Sequence, residues 1–465
     1  MTPFDRSPFI VIWEVTRACA LACVHCRAEA IPYRHPDELT AEEGKRLIDD
    51  VRAFGDPPPI LVLTGGDPLR RPDIVELVAY GTAQGLSVSL TPSGTAAATE
   101  ERLRALRDAG LARLAVSLDG ARPDVHDAFR GVRGSHRHTL RLIERARALG
   151  IPLQINTTVC RRTAPDLPAL ARQMGEFGVV LWALFFLIPI GRAHAGQALP
   201  AEEIERVLEW AADLAREAPF GIKTTEAPHY QRVLSQRRRG GGAPAPGCAA
   251  GEGARRDLIG RAGRAVTDGN GFVFVDHRGE ICPSGFLPMS AGNVRGQDLA
   301  TVYRESELFR ALRDPARLGG RCGRCEFRDR CGGSRARAYA LAGDPLAEDP
   351  GCAWEPETPG AARAAPVIAG GSGVASQVTT ERVTQALRTV FDPELGMSVV
   401  ELGLVYGVEI EGGRVAVTMT LTAPGCPIHD VMPEWVREAV GKIRGVERVD
   451  VTLTFDPPWT PDRIR

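Results

Sequence analysis

Three cysteines near the start of the chain are spaced closely enough to bind one metal centre. Cys19, Cys23 and Cys26 occupy the stretch "TRACALACVHCRAE", and the first 150 residues contain no other cysteine. Three thiolates can bind three irons of a [4Fe–4S] cube and leave the fourth iron free for a small chelating ligand. A structural zinc ion needs four ligands, so a zinc knuckle and chance spacing are the weaker alternatives.

A second set of cysteines lies much later in the chain. Cys322, Cys325 and Cys331 belong to "CGRCEFRDRC", and Cys352 follows in "EDPGCAW". Four thiolates would coordinate every iron of a cube, which suits electron transfer better than substrate ligation. A four-cysteine zinc ribbon that only stabilises this region is the alternative.

Glycine and polar residues follow several strand-like runs of the sequence. They are Gly65, Gly66 and Asp67 in "TGGDP", Ser93 in "TPSG", Ser117 and Asp119 in "SLDG", Arg130 in "HDAFRG" and Asn156 in "LQINTTV". Parallel strands bring such residues to one edge of a sheet, where α/β enzymes place their sites. On its own, Gly-Gly-Asp-Pro is typical of a simple turn.

The elements that would position these residues alternate between strand and helix from residue 9 onward. The strand-like runs are 9–15, 60–66, 86–94, 113–120, 153–159 and 179–189. The first helical pattern between them has a capping box, Thr40 with Glu43, and a stop glycine, Gly55. Strands without regular polar alternation suit a parallel sheet covered by helices. The sequence therefore predicts an α/β fold, a partial (β/α)6 barrel with its site at the carboxyl strand ends.

Composition limits the classes of function. The formal net charge is -1, so no global field favours nucleic acid or an anionic membrane. The most apolar run, 177–191, is shorter than the ~20 residues of a spanning helix and contains Pro189. The start of the chain has no signal-peptide pattern. We expect a cytoplasmic protein without a membrane span, whose clustered cysteines are metal ligands rather than disulfides.

The order of these motifs resembles the radical S-adenosylmethionine (SAM) superfamily. The resemblance implies that Cys19, Cys23 and Cys26 bind a catalytic [4Fe–4S] cluster whose open iron chelates SAM. Reductive cleavage of SAM then yields a 5'-deoxyadenosyl radical, which takes a hydrogen atom from the substrate. His25 fills the family's aromatic position near the adenine.

The same resemblance implies roles for the strand-end residues. Gly65 and Gly66 would let the backbone approach the ligand, beside polar groups that receive the methionine ammonium. Asp67 replaces the glutamate that the family usually has. The other implied contacts with SAM are Ser117 and Asp119 with methionine and ribose, Arg130 with the carboxylate, and Ser93 and Asn156 at strand ends.

The second cysteine set resembles the outer auxiliary [4Fe–4S] cluster of SPASM domains. The full SPASM pattern has another cysteine four residues after Cys331, where this chain has Arg335. One auxiliary cluster is therefore expected, and a second remains open. Cys282 and Cys248 are too few for a conventional second site, and Cys160 and Cys248 are expected to be incidental.

Three phrases resemble the haem-biosynthesis branch, which includes alternative haem synthases and haem d1 maturases. They are "WEVTRACALACVHCRAEA", "LFFLIPIGRA" and "CGGSRARAYALAGDPLAEDPGC". The resemblance implies a tetrapyrrole substrate and oxidative decarboxylation of a propionate to a vinyl group. Arg192, Arg335 and Arg337 are candidates to bind propionates bidentately, unless they form ordinary structural pairs. A SPASM-type peptide maturase is the alternative enzyme.

The end of the chain, 378–465, resembles the PaaD-like domain of iron–sulfur assembly factors. Cys426 precedes a predicted helix, whose N-terminus stabilises thiolate, and Asp392 and Glu394 match the family's acidic motif. An inert buried cysteine is the alternative for Cys426. A protein that mainly assembles or carries clusters is a further hypothesis for the whole chain.

The chain is expected to comprise four parts. They are a radical SAM partial barrel (1–216), a SPASM-like auxiliary-cluster domain (217–356), an Ala/Gly/Pro-rich linker (357–377) and a small α+β domain (378–465). The expected partners are an electron donor such as flavodoxin or ferredoxin and iron–sulfur assembly proteins, with no nucleic acid.

Overall fold

The computed structural model divides the chain into two compact units, Met1–Pro366 and Val367–Arg465. The described residues are 4–239, 266–356, 378–387, 390, 398–421, 432–441, 443, 445–460 and 463. Predictions about the 357–377 linker, Cys248, Asp392, Glu394 and Cys426 lie outside these residues.

Seven strands of the first unit form a parallel array in chain order. They are β1 (Ile10–Glu14), β2 (Ile60–Thr64), β3 (Val88–Leu90), β4 (Arg113–Ser117), β5 (Leu153–Val159), β6 (Leu181–Phe186) and β7 (Gly221–Thr225). The six strands predicted from sequence are confirmed. The seventh extends the array beyond residue 216, where the sequence placed the end of the barrel.

The cysteine-rich region extends the same sheet at its other edge. β8 (Phe272–Val275) pairs in parallel with β1, and β9 (Glu280–Cys282) and β10 (Gly292–Asn293) continue antiparallel. The resulting order is β10-β9-β8-β1-β2-β3-β4-β5-β6-β7. In the described residues the sheet stays open, with β7 and β10 at its edges.

Helices connect the strands and surround the sheet. They are α1 (Ala41–Arg52), α2 (Ile74–Ala83), α3 (Glu100–Asp108), α4 (Pro123–Arg130), α5 (Ser135–Ala148), α6 (Leu167–Phe177), α7 (Ala201–Glu217), α8 (Tyr230–Arg239), α9 (Leu299–Glu305), α10 (Glu307–Arg313), α11 (Gly320–Arg324) and α12 (Arg335–Ala342). The predicted capping box starts α1: Glu43 N donates to Thr40 Oγ1 at 3.2 Å, and Thr40 N donates to Glu43 Oε2 at 2.8 Å. None of the described helices is long and apolar enough to cross a membrane.

One continuous apolar core lies between the sheet and the helices. Trp13 of β1 is fully buried and packs with Leu47 and Ile48 of α1. Gly44 of α1 lies against the Trp13 ring, which an added Cβ would overlap. The missing side chain therefore allows α1 to pack closely on the strand that leads into the first cysteine loop.

The second unit is a small α+β structure with its own core. It contains α13 (Thr380–Leu387), β11 (Val405–Glu411), β12 (Arg414–Met419), α14 (Met432–Gly441) and β13 (Arg448–Leu453). β12 is central, antiparallel to β11 and parallel to β13. The turn between β11 and β12 contains Gly412, whose φ of 60° suits a residue without a Cβ.

Candidate active site

The first cysteine loop follows the carboxyl end of β1. Cys19 and Cys23 are each 7% exposed and Cys26 is partly buried. Backbone amides point at two of the sulfurs: Leu21 N lies 3.4 Å from Cys19 Sγ, and Ala30 N lies 3.4 Å from Cys26 Sγ. Amide donors of this kind stabilise thiolates, the form that binds metal.

The glycine turn after β2 contacts the backbone of this loop. Gly66 N donates to Thr16 O at 2.8 Å, and Asp67 N donates to Ala18 O at 2.7 Å. A Cβ on Gly65 would overlap Thr16 O, and one on Gly66 would lie 2.5 Å from Ala18 O. The glycines are therefore required for the turn to fit against the cysteine loop. Their approach to a bound ligand stays a prediction.

The Asp67 side chain stabilises the turn through hydrogen bonds. Its carboxylate is fully buried and accepts hydrogen bonds from Leu69 N at 3.2 Å and Thr95 Oγ1 at 2.7 Å. Burial raises the pKa of Asp67 above its ordinary value. Ser93 Oγ donates to Gly66 O and lies 3.4 Å from Cys19 Sγ. Ser93 thus joins the glycine turn to a cysteine.

Asp119 and Arg130 form a buried ion pair beside Cys23. Asp119 is fully buried, and its Oδ1 accepts from Thr158 N at 2.7 Å. Arg130 Nη1 lies 3.8 Å from Cys23 Sγ. Burial alone would raise the pKa of Asp119, but Arg130 holds it below the ordinary value.

Two further predicted residues meet on neighbouring strands. Ser117 of β4 lies opposite Asn156 of β5 in the parallel register. Asn156 Oδ1 accepts from Gln154 Nε2 at 2.6 Å. Both residues therefore lie in the sheet near Asp119, at the edge that carries the cysteine loop.

His25 stacks on Phe129, with ring centroids 3.9 Å apart and planes 8° from parallel. Burial and the charge of Arg130 lower the pKa of His25 to about 3, so the imidazole is neutral at physiological pH. The sequence analysis singled out His25 but missed Phe129. Phe129 is a buried aromatic on a short helix, and no pattern sets it apart from core residues.

A buried network joins the cysteine loop to the cysteine-rich region. Glu14 is 3% exposed and pairs with Arg27 Nη2 at 2.6 Å and His277 Nδ1 at 3.0 Å. The Arg27 guanidinium lies over the Phe274 ring, 4.6 Å from its centroid. The sequence analysis missed this network because its members are far apart in the chain.

The second cysteine set lines one cavity that is open to solvent. Its lining includes Cys322, Cys325, Cys331 and Cys352. Phe327 N lies 3.4 Å from Cys325 Sγ, and Asp349 N lies 3.3 Å from Cys322 Sγ. Burial raises the pKa of Cys352 to about 11. Four thiols on one cavity, two of them with amide donors, would suit a cluster of several irons rather than a single ion.

Two other features of this region bear on its predicted metal content. Cys282 is not among the residues that line the cavity; it lies in β9 opposite Phe274. In the part of the chain that is described, no three His, Cys, Asp or Glu side chains are arranged as ligands of a single ion.

Arg335 and Arg337 bond to protein groups next to the cavity. Arg335 is 1% exposed and donates to Pro345 O at 3.0 Å and Ala347 O at 2.7 Å. Arg337 is 3% exposed and pairs with Asp349 at 3.0 Å. Both guanidinium groups are occupied by the protein itself, as the alternative of structural pairs predicts.

Comparison with known proteins identifies both units. Residues 13–173 match the family model of the radical SAM superfamily, and residues 380–452 match that of iron-sulfur cluster assembly proteins. The AdoMet-dependent heme synthase of Methanosarcina barkeri is 40% identical over 360 residues, 77% of this chain and 99% of the relative. That of Oleidesulfovibrio alaskensis is 39% identical over 356 residues, 76% of this chain and 89% of the relative.

A solved structure shares the fold of the first unit. Streptococcus suis SuiB bound to S-adenosylmethionine has a TM-score of 0.58 at 15% identity, covering 75% of this chain and 78% of SuiB. Together the comparisons confirm the predicted radical SAM enzyme, with a [4Fe–4S] cluster and SAM as cofactors, and the iron–sulfur assembly type of the C-terminal part. The chain belongs to the radical SAM superfamily, in the branch that includes the AdoMet-dependent heme synthases.

Proposed function

We propose that this protein is a radical SAM enzyme that oxidatively decarboxylates propionate side chains of an iron-bound tetrapyrrole. The proposal is carried by the 40% identity to a heme synthase over 99% of that relative. It is supported by the site, because the three cysteines and the strand-end residues converge at one edge of the sheet.

In this proposal Cys19, Cys23 and Cys26 hold the catalytic cluster with their three thiolates. Bound SAM supplies a 5'-deoxyadenosyl radical, which takes a hydrogen atom from the substrate. The protein contributes position and shielding. The neutral His25 ring on Phe129 offers an apolar stacking face for an adenine.

The buried Asp119–Arg130 pair keeps a carboxylate and a guanidinium at fixed positions beside Cys23. Arg130 Nη2 pairs with Asp119, while Nε is buried without a hydrogen-bond partner in the described residues, so this one N–H would be left to donate to the carboxylate of SAM. Ser117 and Asn156 would add polar contacts from β4 and β5. Ser93 would act by holding Cys19 in position.

The reaction also releases an electron. Removing a hydrogen atom from a propionate leaves a carbon radical, which becomes a vinyl group when carbon dioxide and one electron depart. Cys322, Cys325, Cys331 and Cys352 would hold a closed auxiliary cluster, whose chemistry is to accept one electron. We propose that an electron-transfer protein such as flavodoxin or ferredoxin supplies reducing electrons.

The test is an anaerobic assay of the reconstituted protein with SAM, a strong reductant and iron coproporphyrin. We expect 5'-deoxyadenosine together with porphyrin products that have lost carbon dioxide, both detected by mass spectrometry. A Cys23→Ala variant should give neither. If 5'-deoxyadenosine forms and the porphyrin is unchanged, the tetrapyrrole assignment is wrong and radical SAM activity remains.

A peptide is the second candidate substrate, because the fold of the first unit also matches SuiB solved with its precursor peptide SuiA, at a TM-score of 0.56. Deuterium transfer from a labelled peptide into 5'-deoxyadenosine, absent with porphyrin, would favour it.

We further propose that the C-terminal unit loads or repairs the clusters of the first unit, with iron–sulfur assembly proteins as partners. Deleting 378–465 should lower the iron content of protein isolated from cells, while chemically reconstituted protein keeps full turnover. Unchanged iron content would remove this role. If the full chain is loaded yet cleaves no SAM, a cluster carrier becomes the better description.

A further inference from the structure

Arg192 lies beside the first cysteine loop. It follows Gly191 after β6, and its backbone N donates to Cys26 O at 3.1 Å. Gly191 has φ 61°, and a Cβ there would overlap Cys26 O. The backbone leading into Arg192 is thus fixed to the loop that carries the three cysteines.

The guanidinium of Arg192 has two buried donors that lack an acceptor. Within the described residues, neither Nε nor Nη2 makes a hydrogen bond. Burying charged donors without acceptors is costly, so the site is incomplete without a ligand. Because its backbone amide is bonded to Cys26, Arg192 lies close to the proposed SAM site.

Nε and Nη2 form one edge of a guanidinium, and this edge binds a carboxylate through two parallel hydrogen bonds. The same protein provides an example. Arg71 donates from Nε to Asp73 Oδ1 at 2.8 Å and from Nη2 to Asp73 Oδ2 at 2.9 Å. In Arg192 the corresponding edge is free.

Three other arginines near the two cysteine sets use their guanidinium groups for contacts within the protein. Arg335 and Arg337 bond to protein carbonyls and to Asp349, and Arg130 pairs with Asp119. Of the three arginines that the sequence offered for propionates, Arg192 alone has a guanidinium edge that the described residues leave free.

We propose that Arg192 binds a carboxylate of the substrate through Nε and Nη2 and so positions it beside the catalytic cluster. This inference rests on the proposed function, in which the carboxylate is a porphyrin propionate. The ligand class is a planar anion that accepts two parallel hydrogen bonds. Arg192 is a substrate-binding residue in this view and carries no proton or electron.

The test compares two probes that differ only in their carboxylates. Iron coproporphyrin and its tetramethyl ester are titrated into cluster-loaded protein with SAM present and no reductant, and binding is followed by the shift of the porphyrin Soret band. Wild type should prefer the free acid. Arg192→Gln should weaken free-acid binding by roughly 10- to 100-fold and leave ester binding unchanged. Arg192→Lys keeps the charge but loses the paired Nε and Nη2 donors, and its affinity for the free acid should lie between those of wild type and Arg192→Gln.

Arg206→Gln is the matched control, because Arg206 is 70% exposed and makes only a long ion pair of 3.8 Å with Glu203. It should behave like wild type. An unchanged preference for the free acid in Arg192→Gln overturns the proposal. The proposal is also overturned if Arg192→Gln binds SAM more weakly in the absence of porphyrin and this accounts for its whole loss of free-acid binding. If wild type binds neither probe, the tetrapyrrole function fails instead.

Discussion

Replacing Arg130 by methionine should lower the free energy of unfolding, because it leaves a buried carboxylate in the site without its ion-pair partner. Asp119 is fully buried, and its described partners are Arg130 and the amide of Thr158. Arg130→Met leaves this carboxylate with a single neutral donor. Breaking a buried ion pair on one side costs about 3–5 kcal/mol. We expect that loss in the free energy of unfolding at neutral pH, measured anaerobically by urea denaturation.

The pH dependence of this loss follows from the direction of the pKa shifts. In the wild type, burial opposes ionisation of Asp119 but Arg130 lowers its pKa, so the pair contributes stability at neutral pH that is lost as pH falls through the folded pKa. Arg130→Met removes the largest of the influences that lower the pKa of Asp119, so this pKa rises. The variant's deficit should therefore be largest near neutrality and shrink as the pH approaches the ordinary carboxyl value of about 4.

Two further variants make this prediction refutable. Arg130→Met with Asp119→Asn removes the charge and should recover part of the loss. Arg122→Met changes an arginine of the same segment that is 67% exposed and paired with exposed Asp124; it should cost about 0–1 kcal/mol. A deficit in Arg130→Met no larger than in Arg122→Met, or one that Asp119→Asn does not reduce, would refute the reasoning.

The remaining predictions concern the cysteine sets and their supports. Gly66→Ala places a Cβ 2.5 Å from Ala18 O; it should displace the first cysteine loop and lower iron per protein, with SAM affinity falling in parallel. Cys322→Ser should remove the auxiliary signal from the electron paramagnetic resonance spectrum, while substrate-independent formation of 5'-deoxyadenosine continues. His25, with a pKa of about 3, should add no titration to SAM binding between about pH 5.5 and 8; a step near 6.5 that His25→Gln abolishes would contradict its neutral state.

Many elements of the first unit could be predicted from the sequence, because their sequence signals involve residues close together in the chain. Apolar runs of β1 to β6 end in glycine or polar residues, and these residues reach the same edge, as parallel strands require. The capping box of α1 also involves residues only three positions apart. β7, by contrast, has the sequence "GIKTT" and partly buried residues throughout, so its hydrophobicity gave no strand signal.

Long-range contacts account for what the sequence could not predict. The pairing of β8 with β1 joins residues about 260 positions apart, and the Glu14–His277 contact depends on that pairing. In the sequence, Arg192, Arg335 and Arg337 cannot be told apart, because each has the same guanidinium donors. Only the contacts in the folded protein show that Arg192 has a free guanidinium edge and that the other two guanidinium groups are occupied.

The parallel pairing of β1 with β8 has a consequence for how electrons cross the molecule. β1 leads into the first cysteine loop, and β8 begins the segment that leads to the second cysteine set. The hydrogen bonds of the sheet therefore hold β1 and β8 side by side, and Glu14 links the segments that follow them through Arg27 and His277. If the two cysteine sets hold clusters as proposed, no hinge lies between the strands that lead towards them. Internal electron transfer should then proceed at a rate insensitive to solvent viscosity.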